Sequence, residues 1–122
     1  VKAFAQEGIV ISQASDFPVT VPPDTMMGLH IMVNRMHPKE SKTPFFEKEA
    51  LDIESALKAF TLGGAYENFL EDKKGSIEVG KDADFVILSQ DVTTIPKEDI
   101  YKTKVMETWI AGQCCFKRRD DE

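Results

Sequence analysis

The chain has 122 residues, of which 42% are apolar and 30% charged, so it can build one ordinary domain with a core. Its 15 lysines and arginines against 21 aspartates and glutamates give a net charge of −6. An acidic surface gains no counterion release from a polyanion, so we expect no nucleic-acid partner and no membrane partner. No apolar run reaches the ~20 residues that span a bilayer and no signal-peptide pattern opens the chain, so we expect a cytoplasmic protein.

The first segment resembles a helix end, then a strand, then a loop. Residues 2–7 before Gly8 are typical of a helix that ends in a glycine. The β-branched run of residues 9–11 predicts a buried strand over 8–12. The polar stretch after it predicts a loop that carries Asp16. This order is typical of a βα unit in a parallel sheet.

The middle of the chain predicts helices over 24–37, 53–61 and 63–71, separated by an exposed loop over 39–49. Asp24 or Thr25 can cap the first helix, and Asp52 can cap the second. The pair Gly63-Gly64 predicts a break between the second and third helices, because glycine is costly in a helix interior.

The part of the chain from residue 75 onward predicts strands over 84–88, 104–111 and 114–117. The last two should form a hairpin around Gly112-Gln113. The predicted elements change from helices to short strands at residue 75, which divides the chain into a helical part, 1–74, and a strand-rich part, 75–122. The fold class we predict is therefore α+β.

The two cysteines, Cys114 and Cys115, are neighbours in the last predicted strand. Adjacent strand residues point to opposite faces, so a bridge between them would be strained. We interpret them as two small apolar strand residues in a reducing compartment, since a zinc site would need spaced Cys or His partners.

Three side chains are candidates for chemistry. His30 and His37 are seven residues apart, whereas helical metal pairs use a spacing of four, so we interpret them as surface or helix-end residues. Asp16 directly follows the carboxyl end of a predicted strand, which is where α/β folds gather catalytic groups. By itself, such an acid is also compatible with a cap or a turn.

The surroundings of Asp16 resemble a known family. The segments that carry the resemblance are 15–19 (SDFPV), 33–35 (VNR), 56–61 (ALKAFT), 75–88 (GSIEVGKDADFVIL) and 105–112. In this order they are similar to the amidohydrolase superfamily, in the branch of the N-substituted formamide deformylase-like metal-dependent hydrolases (amidohydrolase family 3).

The resemblance implies a metal-bearing (β/α)₈ barrel beside a small β-sandwich. A whole barrel takes ~250 residues, so this chain would hold only the last barrel strand, its helices and the C-terminal strands of the sandwich. The long glycine-containing motif at 75–88 carries no catalysis in that family, and we expect it to be structural.

Asp16 matches the last-strand aspartate of the family, which binds the metal and moves protons in catalysis. The metal would be divalent, with zinc the first candidate, and it belongs to a complete parent enzyme. The histidine ligands of the family have no match here, so we expect no metal on this chain alone. Asp16 is thus the one candidate catalytic residue and the one candidate metal ligand.

Two classes of function stay open. In the first, the chain is the C-terminal portion of a metal-dependent amidohydrolase that hydrolyses C–N bonds of small amide-like substrates, and it is inactive by itself. In the second, it is a non-catalytic or regulatory module for folding or association. In either case, strand edges without partners lead us to expect a homodimer.

Overall fold

The computed structural model describes residues 1–19 and 23–119. It contains four α-helices and three β-strands in these ranges, together with two short 3₁₀ helices at Glu47–Glu49 and Lys97–Lys102. The elements are α1 (Lys2–Gln6), α2 (Thr25–Asn34), α3 (Ile53–Phe60), α4 (Leu62–Glu67), β1 (Phe85–Leu88), β2 (Val105–Ile110) and β3 (Gln113–Lys117). The predicted α+β class is confirmed.

Helix α2 begins where the sequence predicts and ends earlier. The Asp24 carboxylate accepts a hydrogen bond of 3.0 Å from the Met27 backbone N–H and caps the first turn. The helix ends at Asn34 because Arg35 takes a left-handed conformation with φ 54°. The predicted end at residue 37 is wrong by three residues, because a left-handed residue ends the helix before Pro38 does.

The break between α3 and α4 lies at Thr61, two residues before the glycine pair that predicted it. Asp52 caps α3 by accepting a hydrogen bond of 2.8 Å from the Ser55 backbone N–H. Thr61 leaves helical geometry with φ −124° and ψ −87°, and α4 starts at the next residue. Helix α4 ends at Glu67 rather than at the predicted residue 71.

The three strands form an antiparallel sheet in the order β1-β2-β3. The hairpin between β2 and β3 is confirmed, but its turn lies at Ala111-Gly112, one residue before the predicted position. Both residues have positive φ, 49° and 75°, as a tight two-residue hairpin turn requires. Gln113 then pairs with Ile110 and starts the return strand.

The core lies between α2, α3 and the 3₁₀ helix at Lys97–Lys102. Leu29 of α2 and Ile100 of this 3₁₀ helix are each 1% exposed. Around them pack seven further buried apolar residues, namely Met26, Met32, Val33, Leu51, Ala56, Ala59 and Val92. Both predicted parts of the chain contribute to this one core, and the boundary at residue 74 stays a prediction.

The predicted strand over 8–12 is wrong as a strand. The segment is extended, but among the described residues it pairs with no other strand. Instead the Ile9 N–H bonds back to the Phe4 carbonyl, and Ile9 and Val10 are 53% and 50% exposed. The β-branched pattern is present, but the described chain offers no neighbouring strand to complete a ladder.

Candidate functional site

Asp16 lies in a tight turn that follows the extended segment. Its backbone is left-handed, with φ 56°, and its carbonyl accepts a hydrogen bond of 2.9 Å from the Val19 N–H. The Ser15 hydroxyl accepts a bond of 3.3 Å from the Phe17 N–H in the same turn. The side chain of Asp16 is exposed. The turn therefore presents a carboxylate to solvent just beyond the segment that the sequence predicts as a strand.

Helices α3 and α4 hold the segment that leads to Asp16. The Gln13 N–H donates a hydrogen bond of 3.1 Å to the carbonyl of Ala59, near the end of α3. Gly63 of α4 lies directly against the backbone of Ile11. A methyl group built on Gly63 would lie 2.9 Å from the Ile11 carbonyl carbon and closer still to its oxygen. Gly63 is thus required for α4 to approach this segment so closely.

Two open grooves flank the extended segment. The larger has a volume of about 590 Å³. Its lining includes the apolar side chains of Ile9, Val10, Leu62 and Tyr66, and two lysines and two glutamates, namely Lys58, Lys81, Glu71 and Glu78. The smaller, of about 340 Å³, lies beside Ser12 and Gln13. Neither groove has Asp16 in its lining, so neither is a closed pocket around that carboxylate.

The described residues do not form a metal centre by themselves. Within residues 1–19 and 23–119, no group of three or more His, Cys, Asp or Glu side chains is arranged to hold an ion. A catalytic zinc takes about three protein ligands, and one exposed carboxylate does not fit that requirement. The role of Asp16 as a metal ligand and catalytic group stays a prediction.

The interpretation of both histidines as surface or helix-end residues is wrong for His30. His30 is 3% exposed, its ring meets Tyr101 edge-on at 5.2 Å, and its Nδ1 lies 3.2 Å from the Asn34 amide nitrogen. Burial lowers the pKa of His30, and the nearby His37 lowers it further, while the Glu98 carboxylate and the Lys97 carbonyl act in the opposite direction. A histidine at this helical position became part of the core, which the spacing of two histidines could not indicate.

The buried His30 should make the fold sensitive to mild acid. The unfolded chain protonates His30 near pH 6.5 while the folded chain keeps it neutral to lower pH, so the unfolded state binds more protons. The contribution of neutral His30 to the free energy of unfolding is therefore fully present above pH 6.5, and it is lost as the pH falls from there towards the lowered pKa. The urea midpoint should fall between pH 7.5 and 5.5.

A variant pair tests this pH dependence. His30→Phe keeps an aromatic ring against Tyr101, and the Asn34 amide keeps its bond of 2.8 Å to the Lys97 carbonyl, so the variant should lose most of the pH-dependent fall. His37→Gln removes the other histidine and should retain most of it. An equal fall in wild type and His30→Phe would contradict the assignment to His30.

The glycine-containing motif at 75–88 is built into the fold, as expected. Gly75 and Gly80 take φ 89° and 96°, which glycine adopts without strain. Asp84 accepts a hydrogen bond of 2.8 Å from the Ala111 N–H in the hairpin turn and one of 2.5 Å from the ammonium of Lys74. Lys74 also pairs with Asp82 at 2.9 Å. The bonds from Lys74 and from the Ala111 N–H, with Lys74 the stronger influence, hold the pKa of Asp84 below its ordinary value.

Lys74 is the residue of this cluster that sequence reasoning missed. It directly precedes the motif, and its two ion pairs reach Asp82 and Asp84 eight and ten residues later, so nothing in the local pattern marks it. Its partner Asp84 connects the segment before β1 to the turn between β2 and β3. The cluster fixes the sheet relative to the chain before it, which is a structural role.

Comparisons with known proteins bear on all of these residues. The family model described as "Amidohydrolase family" matches residues 1–116. The chain belongs to this family. It is 31% identical over 96% of its length to YtcJ of Bacillus subtilis, which is named as an amidohydrolase, and 26% identical over 97% to N-substituted formamide deformylase of Arthrobacter pascens. The predicted membership of the amidohydrolase superfamily is thus confirmed.

A solved structure extends the comparison to the fold. The chain aligns with a crystal structure of an amidohydrolase from Thermotoga maritima with a TM-score of 0.65 and 28% identity. This alignment covers 93% of the chain and 24% of that structure. The chain spans about a fifth of the length of its curated relatives, 22% of YtcJ and 21% of the formamide deformylase.

Within the described residues, no helix is both long and apolar enough to cross a membrane.

Proposed function

We propose that this chain is the C-terminal portion of a metal-dependent amidohydrolase that hydrolyses C–N bonds of small amide-like molecules, and that it is inactive by itself. Its match to about a fifth of the curated relatives supports a part of a larger catalytic unit. One of these relatives is named for the deformylation of N-substituted formamides, which is the breaking of an amide-type C–N bond. The barrel fragment belongs to the same proposal: in a complete parent the extended segment at 8–12 would gain neighbouring strands, and the strands at 84–117 would join the sandwich.

Asp16 is the residue on which we base the activity. Its carboxylate is exposed at the end of a segment that α3 and α4 hold in place, so it is free to face groups from elsewhere in a parent protein. We assign it to hold a proton at a carboxylate oxygen and release it to the leaving nitrogen. A divalent metal, zinc first, would supply the Lewis acid in a complete site, with its histidine ligands outside this chain.

The test is an assay of two polypeptides side by side. One is the complete polypeptide encoded by the gene, including any open frame upstream of Val1, and the other is the present chain. With N-substituted formamides as substrates and zinc supplied, the complete polypeptide should hydrolyse the substrate, and the present chain should not. Turnover by the present chain alone, or an upstream frame without a His-x-His strand motif, would contradict the proposal.

A second candidate function is an association module, and a specific observation favours it. The segment 9–11 is extended and, among residues 1–19 and 23–119, pairs with no other strand, and the larger groove lies beside it. The groove carries two lysines and two glutamates, so two copies related by a two-fold axis can set lysines against glutamates. We therefore propose that the isolated chain forms a homodimer along this segment, with paired strands and covered apolar side chains.

The dimer has a direct measurement. Light scattering after size exclusion should give twice the chain mass at high concentration and a shift toward monomer on dilution. Val10→Lys places a charge on the exposed side chain of the segment and should shift the equilibrium to monomer, whereas Val86→Lys, on the exposed face of β1, should not. A monomer across the whole concentration range would contradict the module.

A further inference from the structure

The two adjacent cysteines lie on a strand, as the sequence predicts, and both are exposed. Cys114 and Cys115 are free and lie on β3. This strand forms one edge of the sheet, and each of its five residues is exposed. Each thiol donates a weak hydrogen bond within the strand, Cys114 to the Phe116 carbonyl at 3.3 Å and Cys115 to the Gln113 carbonyl at 3.4 Å. Both sulfurs are therefore accessible to a ligand.

A bulge at this point removes the alternation that would separate the two thiols. Residues paired across antiparallel strands share a face, and Gln113 pairs with Ile110 while Phe116 pairs with Thr108. Ile110 and Thr108 are two residues apart on β2, so they lie on the same face of the sheet. Their partners Gln113 and Phe116 therefore lie on that face too, although they are three residues apart on β3. The two cysteines consequently take the place of a single residue, opposite Trp109.

We propose that Cys114 and Cys115 form a two-thiol site for a thiophilic ligand of the class of trivalent arsenicals. Consecutive Cα atoms are about 3.8 Å apart, and the bulge frees the pair from facing opposite ways. A direct disulfide needs its sulfurs at about 2.05 Å and a specific torsion, which neighbours in a strand reach only with strain. A single arsenic atom between the sulfurs allows them a wider separation.

The chemistry of the site balances with a simple arsenical. Phenylarsine oxide reacts with two thiols, so that two As–S bonds form, the As–O bond breaks, and oxygen leaves as water with the two thiol protons. No electrons are transferred, and no oxidant or reductant is needed. Because the second As–S bond forms within one chain, the adduct should outlast a one-thiol adduct by about 10²-fold or more.

The test uses the reduced chain with one equivalent of phenylarsine oxide. Mass spectrometry of the intact chain should show that the mass of a single chain increases by the mass of the arsenical minus that of one water. The adduct should resist washing with 2-mercaptoethanol and be released by the dithiol 2,3-dimercaptopropanol. Circular dichroism before and after addition checks that the sheet survives.

Single-cysteine variants provide the control. Cys114→Ser and Cys115→Ser each keep one exposed thiol of the same strand, and both should lose the arsenical in the 2-mercaptoethanol wash. Retention by either variant, equally rapid loss from the wild type, or one arsenic joining two chains would each overturn the proposal. This site does not involve Asp16, so the result is independent of the proposed hydrolase activity.

Discussion

Replacing Asp16 by asparagine in the complete parent polypeptide is expected to lower kcat by about 10² to 10⁴-fold, the range that a general acid–base group supplies. Asparagine has nearly the same shape but its amide cannot take up and release a proton at neutral pH. Asparagine also suits the backbone at position 16, because it tolerates a left-handed conformation, here φ 56°, better than most residues. The turn itself uses the Asp16 carbonyl, so the Val19 N–H keeps its bond.

The measurement is a steady-state assay with an N-substituted formamide, paired with thermal unfolding of each variant. Asp72→Asn is the matched control, since it makes the same change at another exposed aspartate and should leave kcat unchanged. Near-normal turnover of Asp16→Asn would make Asp16 a turn residue only. A large fall in the unfolding temperature of Asp16→Asn would make loss of activity uninformative and would assign Asp16 a role in stability.

The parts of the fold that could be predicted from sequence are those with local causes. Asp24 and Asp52 cap their helices within three residues of their own positions, and the sequence shows both. The predicted hairpin turn lies one residue after the observed one, and this difference has a local cause too. Ala111 takes φ 49° beside Gly112, a conformation that alanine rarely adopts, so the pattern favoured glycine as the first turn residue.

The errors have non-local causes. The run at Ile9–Ile11 has the composition of a buried strand, but a strand exists only with a partner, and the described chain provides none. His30 is on the face of α2 that turns toward Tyr101, more than sixty residues later in the chain. A pattern within α2 cannot indicate which segment covers it.

The candidate site divides in the same way. Asp16 is a candidate because it follows a predicted strand and because its surroundings resemble a family, and its place beyond an extended segment agrees with the first of these reasons. The residues that hold this segment, Ala59 and Gly63, were not predicted, because their role depends on backbone contacts between distant parts of the chain. The glycine pair predicted a helix break, whereas Gly63 lies inside α4, where it allows close packing.

Gly63 carries the second large expected effect, on stability. In Gly63→Ala the new methyl group would overlap the Ile11 carbonyl and lie 3.2 Å from the Lys58 carbonyl oxygen. Both neighbours are backbone atoms, so they cannot turn aside as a flexible side chain can, and α4 has to move away from the segment. Overpacking of this kind costs about 1 to 3 kcal/mol, and we expect the upper end of that range. For a chain of this size that is a large part of the total stability.

The neighbouring glycine provides a matched control, because the same substitution of glycine by alanine is made one residue further along α4. A methyl group on Gly64 meets nothing within 4 Å, so Gly64→Ala keeps every contact and gains the better helix propensity of alanine, about 0.5 to 1 kcal/mol. Urea unfolding should therefore move the two variants in opposite directions, with Gly63→Ala less stable than wild type and Gly64→Ala more stable. If Gly63→Ala were also more stable, the close contact between α4 and Ile11 would be absent in solution. The segment that carries Asp16 would then lack the support on which the proposed activity rests.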